Sequence, residues 1–243
     1  HDASAALAGD CALNQLGVLR PTATPRAMMG GVWGGVRLER RPAVHVRDVF
    51  VKTSIRRRRI EFVCELANAG GVSRDGRLDL EVMEWPVGRP AGVSIPSRQV
   101  SLEPGKTTSV RIEAPWDAPR LWSPEQPNLY VARATLREAH AEPSANVADT
   151  VETRFGFREF WIEGRQFMLN GVPIRLRGES HYRYGRDKES SDPATGLAYN
   201  RDLMRAFKDL LGSNGCRVHA SIAPASVALG ADEAGYLLIA QSS

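Results

Sequence analysis

The chain has 243 residues, 42% of them hydrophobic and 25% charged, with a mean hydropathy of −0.30. That length suits one large or two smaller globular domains, and no apolar run reaches the length a bilayer span needs. The formal charge of +4 and pI of about 9.2 could suit a polyanion, but no stripe of interleaved basic and aromatic residues accompanies them, so neither nucleic acid nor membrane is expected as a partner.

In chain order, the first 29 residues are rich in small residues, Thr and Pro and carry no clear period. The chain opens HDASAALAGD. No basic stretch followed by an apolar core is present, so no signal peptide is expected, and location is left open. VWGGVRLE (32–39) has the length and spacing of a strand, closed by Pro42. From about 43 to 157, seven segments alternate with period two: HVRDVFVKTS, RIEFVCELAN, RLDLEVMEW, RQVSLEP, TTSVRIEAP, LYVARATLRE and DTVETRFGF. NAGG, PVGRPAG, EPGK and PEQPN separate several of them as turns. Leu78, Leu80 and Val82 share one face, as do Val110 and Ile112. Such a series of short strands predicts an immunoglobulin-like β-sandwich. The run Arg56–Arg59 falls between two of these segments and reads as a solvated hairpin tip. Cys11, Cys64 and Cys216 are odd in number and lack CxxC spacing, which argues for idle or buried thiols against a disulfide framework or a zinc site.

After Phe155 the pattern changes. FWIEGRQFMLNGVPIRLRG carries a hairpin signal at Asn170-Gly171. VPIRLRG reads as a strand that Gly178 ends, followed by the crowded polar run ESHYRYG and a loop, RDKESSDPATG. In NRDLMRAFKDLLGSNG, Leu203, Met204, Phe207, Leu210 and Leu211 lie at helical spacing, with Asn200 or Asp202 as cap and Gly212 as terminator. CRVHA reads as a short strand, ASVALGADEAG as a helix ending at Gly235, and YLLIA as a buried parallel strand. This strand–helix alternation is that of a parallel α/β domain.

Several motifs stand in a fixed order. LWSPEQPNLY contains Leu121, Trp122, Ser123, Pro124, Pro127, Leu129 and Tyr130. Phe155-Gly156-Phe157-Arg158 follows, then Phe167, Leu169, Asn170 and Gly171. Together they resemble glycoside hydrolase family 2, the β-galactosidase, β-glucuronidase and β-mannosidase group. VWGGVRLE resembles the end of that family's N-terminal sugar-binding-type domain. SNGCRVHASIAP resembles its Asn-x-x-Arg-x-x-His stretch, with the His one place early, and ADEAGYLLIA resembles its Asp-Glu-x-Gly segment before the third barrel strand.

The resemblance implies three parts. Residues 1–40 would be the C-terminal tail of a jelly-roll-like domain, 41–157 an immunoglobulin-like sandwich, and 158–243 the start of a truncated (β/α)8 TIM barrel. It implies a retaining glycosidase acting on a β-linked glycoside or oligosaccharide, which needs two carboxyl groups about 5–5.5 Å apart. In the family these glutamates come from the fourth and seventh barrel strands. A barrel takes roughly 250 residues, and 86 run from Arg158 to Ser243. No catalytic residue is therefore expected in this chain. Glu179 departs from the family pattern, and Asp232 and Glu233 are expected to cap or pair with neighbouring elements. Four residues are expected at a sugar pocket: His181 and Tyr182 after the first barrel strand, Arg217 after the second as an electrostatic support for the nucleophile's carboxylate, and His219 beside it. Trp122 and Tyr130 are expected to pack in the sandwich. No cluster of metal ligands is visible, and no metal or cofactor is expected; oligomeric state is left open. A non-catalytic carbohydrate-binding or scaffold protein of the same architecture is the alternative reading.

Overall fold

The computed structural model describes residues 38–139, 147–178, 180–181, 193–218, 223 and 225–240. They form two compact units that divide between Arg175 and Leu176.

The first unit begins with eight strands: β1 (Val44–Ser54), β2 (Arg59–Asn68), β3 (Arg74–Trp85), β4 (Arg89–Pro90), β5 (Arg98–Leu102), β6 (Thr107–Pro115), β7 (Leu129–Glu138) and β8 (Val147–Phe155). One sheet runs β1-β2-β6 and the other β4-β3-β7-β8, with β5 also on β3. All seven segments with period-two alternation are strands; the two-residue β4 is too short for a period to register. The alternation places Ile60, Phe62, Cys64 and Leu66 of β2 in one core with Leu78, Leu80 and Val82 of β3 and Val110, Ile112 and Ala114 of β6. Each fully buried large aliphatic side chain contributes about 1.5–3 kcal/mol relative to exposure. Burial, with the charge of Asp48 adding to it, pushes the Cys64 thiol up to about 11, as suits an idle core thiol.

A three-stranded antiparallel meander completes this unit: β9 (Phe160–Glu163), β10 (Gln166–Leu169) and β11 (Val172–Ile174). Leu169 pairs with Val172 across a two-residue turn. Asn170 and Gly171 have φ of 56° and 86°, the left-handed pair that makes Asn-Gly the favoured two-residue hairpin. The sequence boundary at 157 and the structural division after 175 thus differ by this meander, which packs with the sandwich unit.

The arginine run explains part of that packing and is more than a solvated tip. Arg56 donates from Nε to Glu159 Oε1 at 2.7 Å and lies 4.5 Å from the Trp161 ring centroid. Glu159 Oε2 accepts from the backbone N–H of Ile55 at 2.8 Å and of Arg56 at 3.0 Å. Arg58 pairs with Asp117 at 3.1 Å, and Arg59 with Glu113 at 2.6 Å. Burial pushes the Glu159 carboxyl up, but hydrogen bonds and charge from Arg56 outweigh it and hold the group below the usual carboxylate range.

The second unit contains three parallel strands and two helices: β12 (Ser180–His181), α1 (Pro193–Leu211), β13 (Gly215–Val218), α2 (Ala225–Ala234) and β14 (Leu237–Ala240). The sheet order is β12-β13-β14, and both pairings are parallel. Helix α1 starts at Pro193, seven residues before the expected cap; proline is pre-organised for a first helical turn. Asn200 is consequently a buried mid-helix residue, donating to the carbonyl of Gly196 at 2.8 Å and to Ser226 Oγ of α2 at 3.2 Å. The helices cross closely: a β-carbon on Gly230 would lie 2.9 Å from the backbone nitrogen of Arg201. Gly212 (φ 62°) and Gly235 (φ 66°) end the two helices as expected. Strand β14 is less buried than its apolar sequence suggests, with Ile239 48% exposed; among the described residues it pairs only with β13.

Candidate functional site

In open parallel α/β sheets, ligands gather at the carboxyl ends of the strands. Here those ends carry His181, Val218 and Ala240. Ser180 pairs with Arg217 and His181 with Val218, so the polar run at 180–181 and the arginine stretch lie on neighbouring strands. Arg217 is exposed, and its Nε donates to Ser180 Oγ at 3.1 Å. Arg217 is inside β13, third of its four residues, and His181 is inside β12. Both had been expected to follow a strand.

The reason is a shift in where the parallel strand starts. Residues 172–174 are committed to the antiparallel meander by the Asn-Gly turn, so VPIRLRG is not the parallel strand. Gly178 precedes β12 rather than ending a strand. A β-carbon on Gly178 would run into the carbonyl oxygen of Gly215, and one on Gly215 would lie 2.8 Å from that of Leu237. Glycine is required where these backbones converge. Tyr182, His219 and Glu179 lie outside the described residues.

Two contributors were not singled out from sequence. Ser180 is hidden in a polar run where any member could bind. Asn214 is 9% exposed; its Oδ1 accepts from the Arg177 N–H at 2.8 Å, and its own N–H donates to the Arg177 carbonyl at 2.8 Å. Its carbonyl accepts from the Leu237 N–H at 2.9 Å. The usable signal was its place three residues before Arg217 in the Asn-x-x-Arg stretch.

Glu233 is 8% exposed and lies 3.5 Å from Arg201 Nη1. That pairing across α1 and α2 matches the structural role expected of it.

The motifs that carry the resemblance converge elsewhere, on Trp122. Its indole is fully buried. The Trp122 backbone N–H donates to the Phe157 carbonyl at 2.9 Å, and its backbone carbonyl accepts from Asn170 Nδ2 at 2.8 Å. The Arg158 guanidinium sits 4.3 Å from its ring centroid. A β-carbon on Gly156 would fall 2.8 Å from its Cβ and 2.9 Å from its Cγ. Asn170 Oδ1 also accepts from the Glu159 N–H at 3.0 Å. Tyr130 is 2% exposed, stacks on Phe155 at 5.6 Å and accepts from the Arg120 N–H at 2.7 Å. Both aromatics are core residues, as expected, and neither is a sugar platform.

Residues 44–158 match the model of the family described as glycosyl hydrolases family 2. A β-galactosidase of Aeromonas hydrophila subsp. hydrophila is 29% identical over 188 residues, covering 72% of this chain and 17% of that protein. The chain thus spans about a sixth of the length of this relative. Among solved structures, a β-galacturonidase from Eisenbergiella tayi, crystallised with glycerol, superposes with a TM-score of 0.66 at 25% identity over 82% of this chain and 33% of its own. A Bacteroides uniformis β-glucuronidase gives 0.64 at 22% identity, covering 81% and 24%.

Proposed function

We propose that the chain, whose residues 44–158 match glycosyl hydrolases family 2, is a segment of a retaining β-glycosidase of that family. Residues 1–40 are the end of a jelly-roll-like domain, 41–157 the immunoglobulin-like sandwich, and 158–243 lead into a (β/α)8 barrel, whose parallel strands begin with β12, β13 and β14. The carbohydrate, a β-linked glycoside or oligosaccharide, binds at the carboxyl ends of those strands. His181 contacts its hydroxyls from the first strand, and Tyr182 beside it stacks on the sugar. Arg217 supports the nucleophile's carboxylate from the second, with His219 beside it. The acid/base and nucleophile carboxyl groups belong to strands other than these three.

One observation carries this reading: the parallel pairing of Ser180 with Arg217 and of His181 with Val218. It brings the two halves of the expected pocket wall onto adjacent strands. The mechanism then asks specific work of each residue. A guanidinium offers a planar set of donors that fits a carboxylate and keeps it ionised at neutral pH. An imidazole donates and accepts toward hydroxyls.

Two measurements test the proposal. The purified chain should give no turnover of nitrophenyl β-glycosides; turnover by these 243 residues alone would overturn the placement of both carboxyl groups. Reading the coding sequence past codon 243 should reveal an Asn-Glu motif after a fourth strand and a further Glu near a seventh. A stop codon directly after Ser243 would overturn the glycosidase reading in favour of a non-catalytic carbohydrate-binding or scaffold protein.

A further inference from the structure

We propose that Asn214 is a positioning residue for Arg217, acting by fixing the register between the first two parallel strands. The inference rests on the reading of Arg217 as a pocket residue. Arg177 has both its backbone groups bound by one partner: its N–H by Asn214 Oδ1 and its carbonyl by the Asn214 N–H, each at 2.8 Å. The side-chain amide thereby adds a rung to the parallel ladder below the point where β12 and β13 formally pair. That rung is in phase with the one above it. Asn214 lies three residues before Arg217, Arg177 lies three before Ser180, and Ser180 pairs with Arg217. Because side chains alternate along a strand, a one-residue slip at Arg177 would turn Ser180 away from Arg217.

The neighbouring glycines admit this register. The backbone of Gly215 fills the place where a β-carbon on Gly178 would be. Asn214 also accepts from the Leu237 N–H at 2.9 Å, so the same residue ties in β14. At 9% exposure it is shielded from the water that would otherwise compete for these bonds. The output of the clamp is the 3.1 Å bond from Arg217 Nε to Ser180 Oγ, which sets the direction of an otherwise long and exposed side chain.

The test reads the Arg217 side chain directly, by Nε–Hε hydrogen exchange in NMR spectra of the full 243-residue chain. Ser180→Ala should speed Arg217 Hε exchange about fivefold, the loss of one modest hydrogen bond, without changing the thermal midpoint. Asn214→Leu should produce the same acceleration although Ser180 and Arg217 are untouched. A folded Asn214→Leu chain in which Arg217 Hε exchanges at the wild-type rate would overturn the proposal. Should Asn214→Leu fail to fold, exchange in the wild-type chain over a urea series gives the answer. Arg217 Hε protection should vanish no later than that of the Arg177 amide, and protection that survives Arg177 opening would overturn the proposal. Neither readout involves a sugar or turnover. A failure here leaves the glycosidase reading intact, and an inactive full-length enzyme leaves this result intact.

Discussion

Gly156→Ala isolates the contact on which the family motifs converge. The added β-carbon would sit 2.8, 2.9 and 3.0 Å from Cβ, Cγ and Cδ1 of Trp122. Neither side can yield easily. Trp122 is held by the Phe157 carbonyl at 2.9 Å and by Asn170 Nδ2 at 2.8 Å, and the Arg158 guanidinium lies 4.3 Å from its ring. Overpacking of this kind costs about 1–3 kcal/mol. Loosening the cation–π contact adds ~0.5–1 kcal/mol. Gly156 is not at positive φ, so the reduced freedom of the unfolded Ala chain offsets ~0.4–1 kcal/mol. The net loss is about 2 kcal/mol, or roughly 8 °C in Tm for a unit of this size. Gly71→Ala is the control, since a β-carbon there meets nothing within 4 Å; it should change stability by less than ~1 kcal/mol. Urea unfolding followed by tryptophan fluorescence measures both variants. A Gly156→Ala chain as stable as Gly71→Ala would refute the reasoning, because it would mean that Trp122 can move without cost.

Three further outcomes are expected. Asn170→Ala loses the bonds to Trp122 and Glu159 and forces alanine to a φ of 56°. Urea midpoints should show a cost of about 2–4 kcal/mol, and Asn170→Gly, which accepts that φ, should cost less. Glu159 is held below its usual value of 4.5. Its stabilisation is therefore fully present above that value and is lost as pH falls through the depressed one. The wild-type advantage over Glu159→Gln, measured by urea midpoints, should be largest near neutrality and shrink on acidification; an advantage that grows with acid would show the sign to be wrong. Arg56→Met removes the charge that holds Glu159 down and the contact with Trp161. It should destabilise the sandwich unit by roughly 1–3 kcal/mol in the same assay.

The sandwich was legible because strands such as β2, β3 and β6 are buried on one face only, which writes a period of two into the sequence. Leu78, Leu80 and Val82 or Val110 and Ile112 need no tertiary knowledge to be placed. The Asn170-Gly171 turn was equally legible, since few residue pairs accept two positive φ values. Features that depend on a distant partner were not. The arginine run is the exposed hairpin tip its sequence suggested, but nothing near Arg56 in sequence announces its pairing with Glu159. Asn200 resembled a helix cap because its environment, Ser226 and Gly230 on the next helix, is invisible from its own neighbourhood. The start of the parallel sheet was misplaced for the same reason. VPIRLRG alternates as a strand does, but its residues 172–174 pair with β10, and the close approach of Gly178 to the Gly215 carbonyl comes only after them.

This separates two kinds of signal that sequence motifs blend. Trp122, Gly156, Phe157, Arg158 and Asn170 are spread over almost fifty residues, yet they meet around one tryptophan, at its backbone and its ring. Each is demanding in chemistry: a large ring, a missing β-carbon, a planar cation, an amide that both donates and accepts. A motif of that kind is specific enough to identify a family while saying nothing about a reaction, because its members satisfy one another. The residues from which chemistry can be argued, His181 and Arg217, carry a weaker signal. They lie in short strands, and the pairing puts them on neighbouring strands, with Ser180 opposite Arg217 and His181 opposite Val218. Asn214 lies between the two classes. It is buried and satisfied like the members of the tryptophan lock, yet what it fixes is the relation between two strands of the proposed pocket, which is why its substitution should be felt at Arg217.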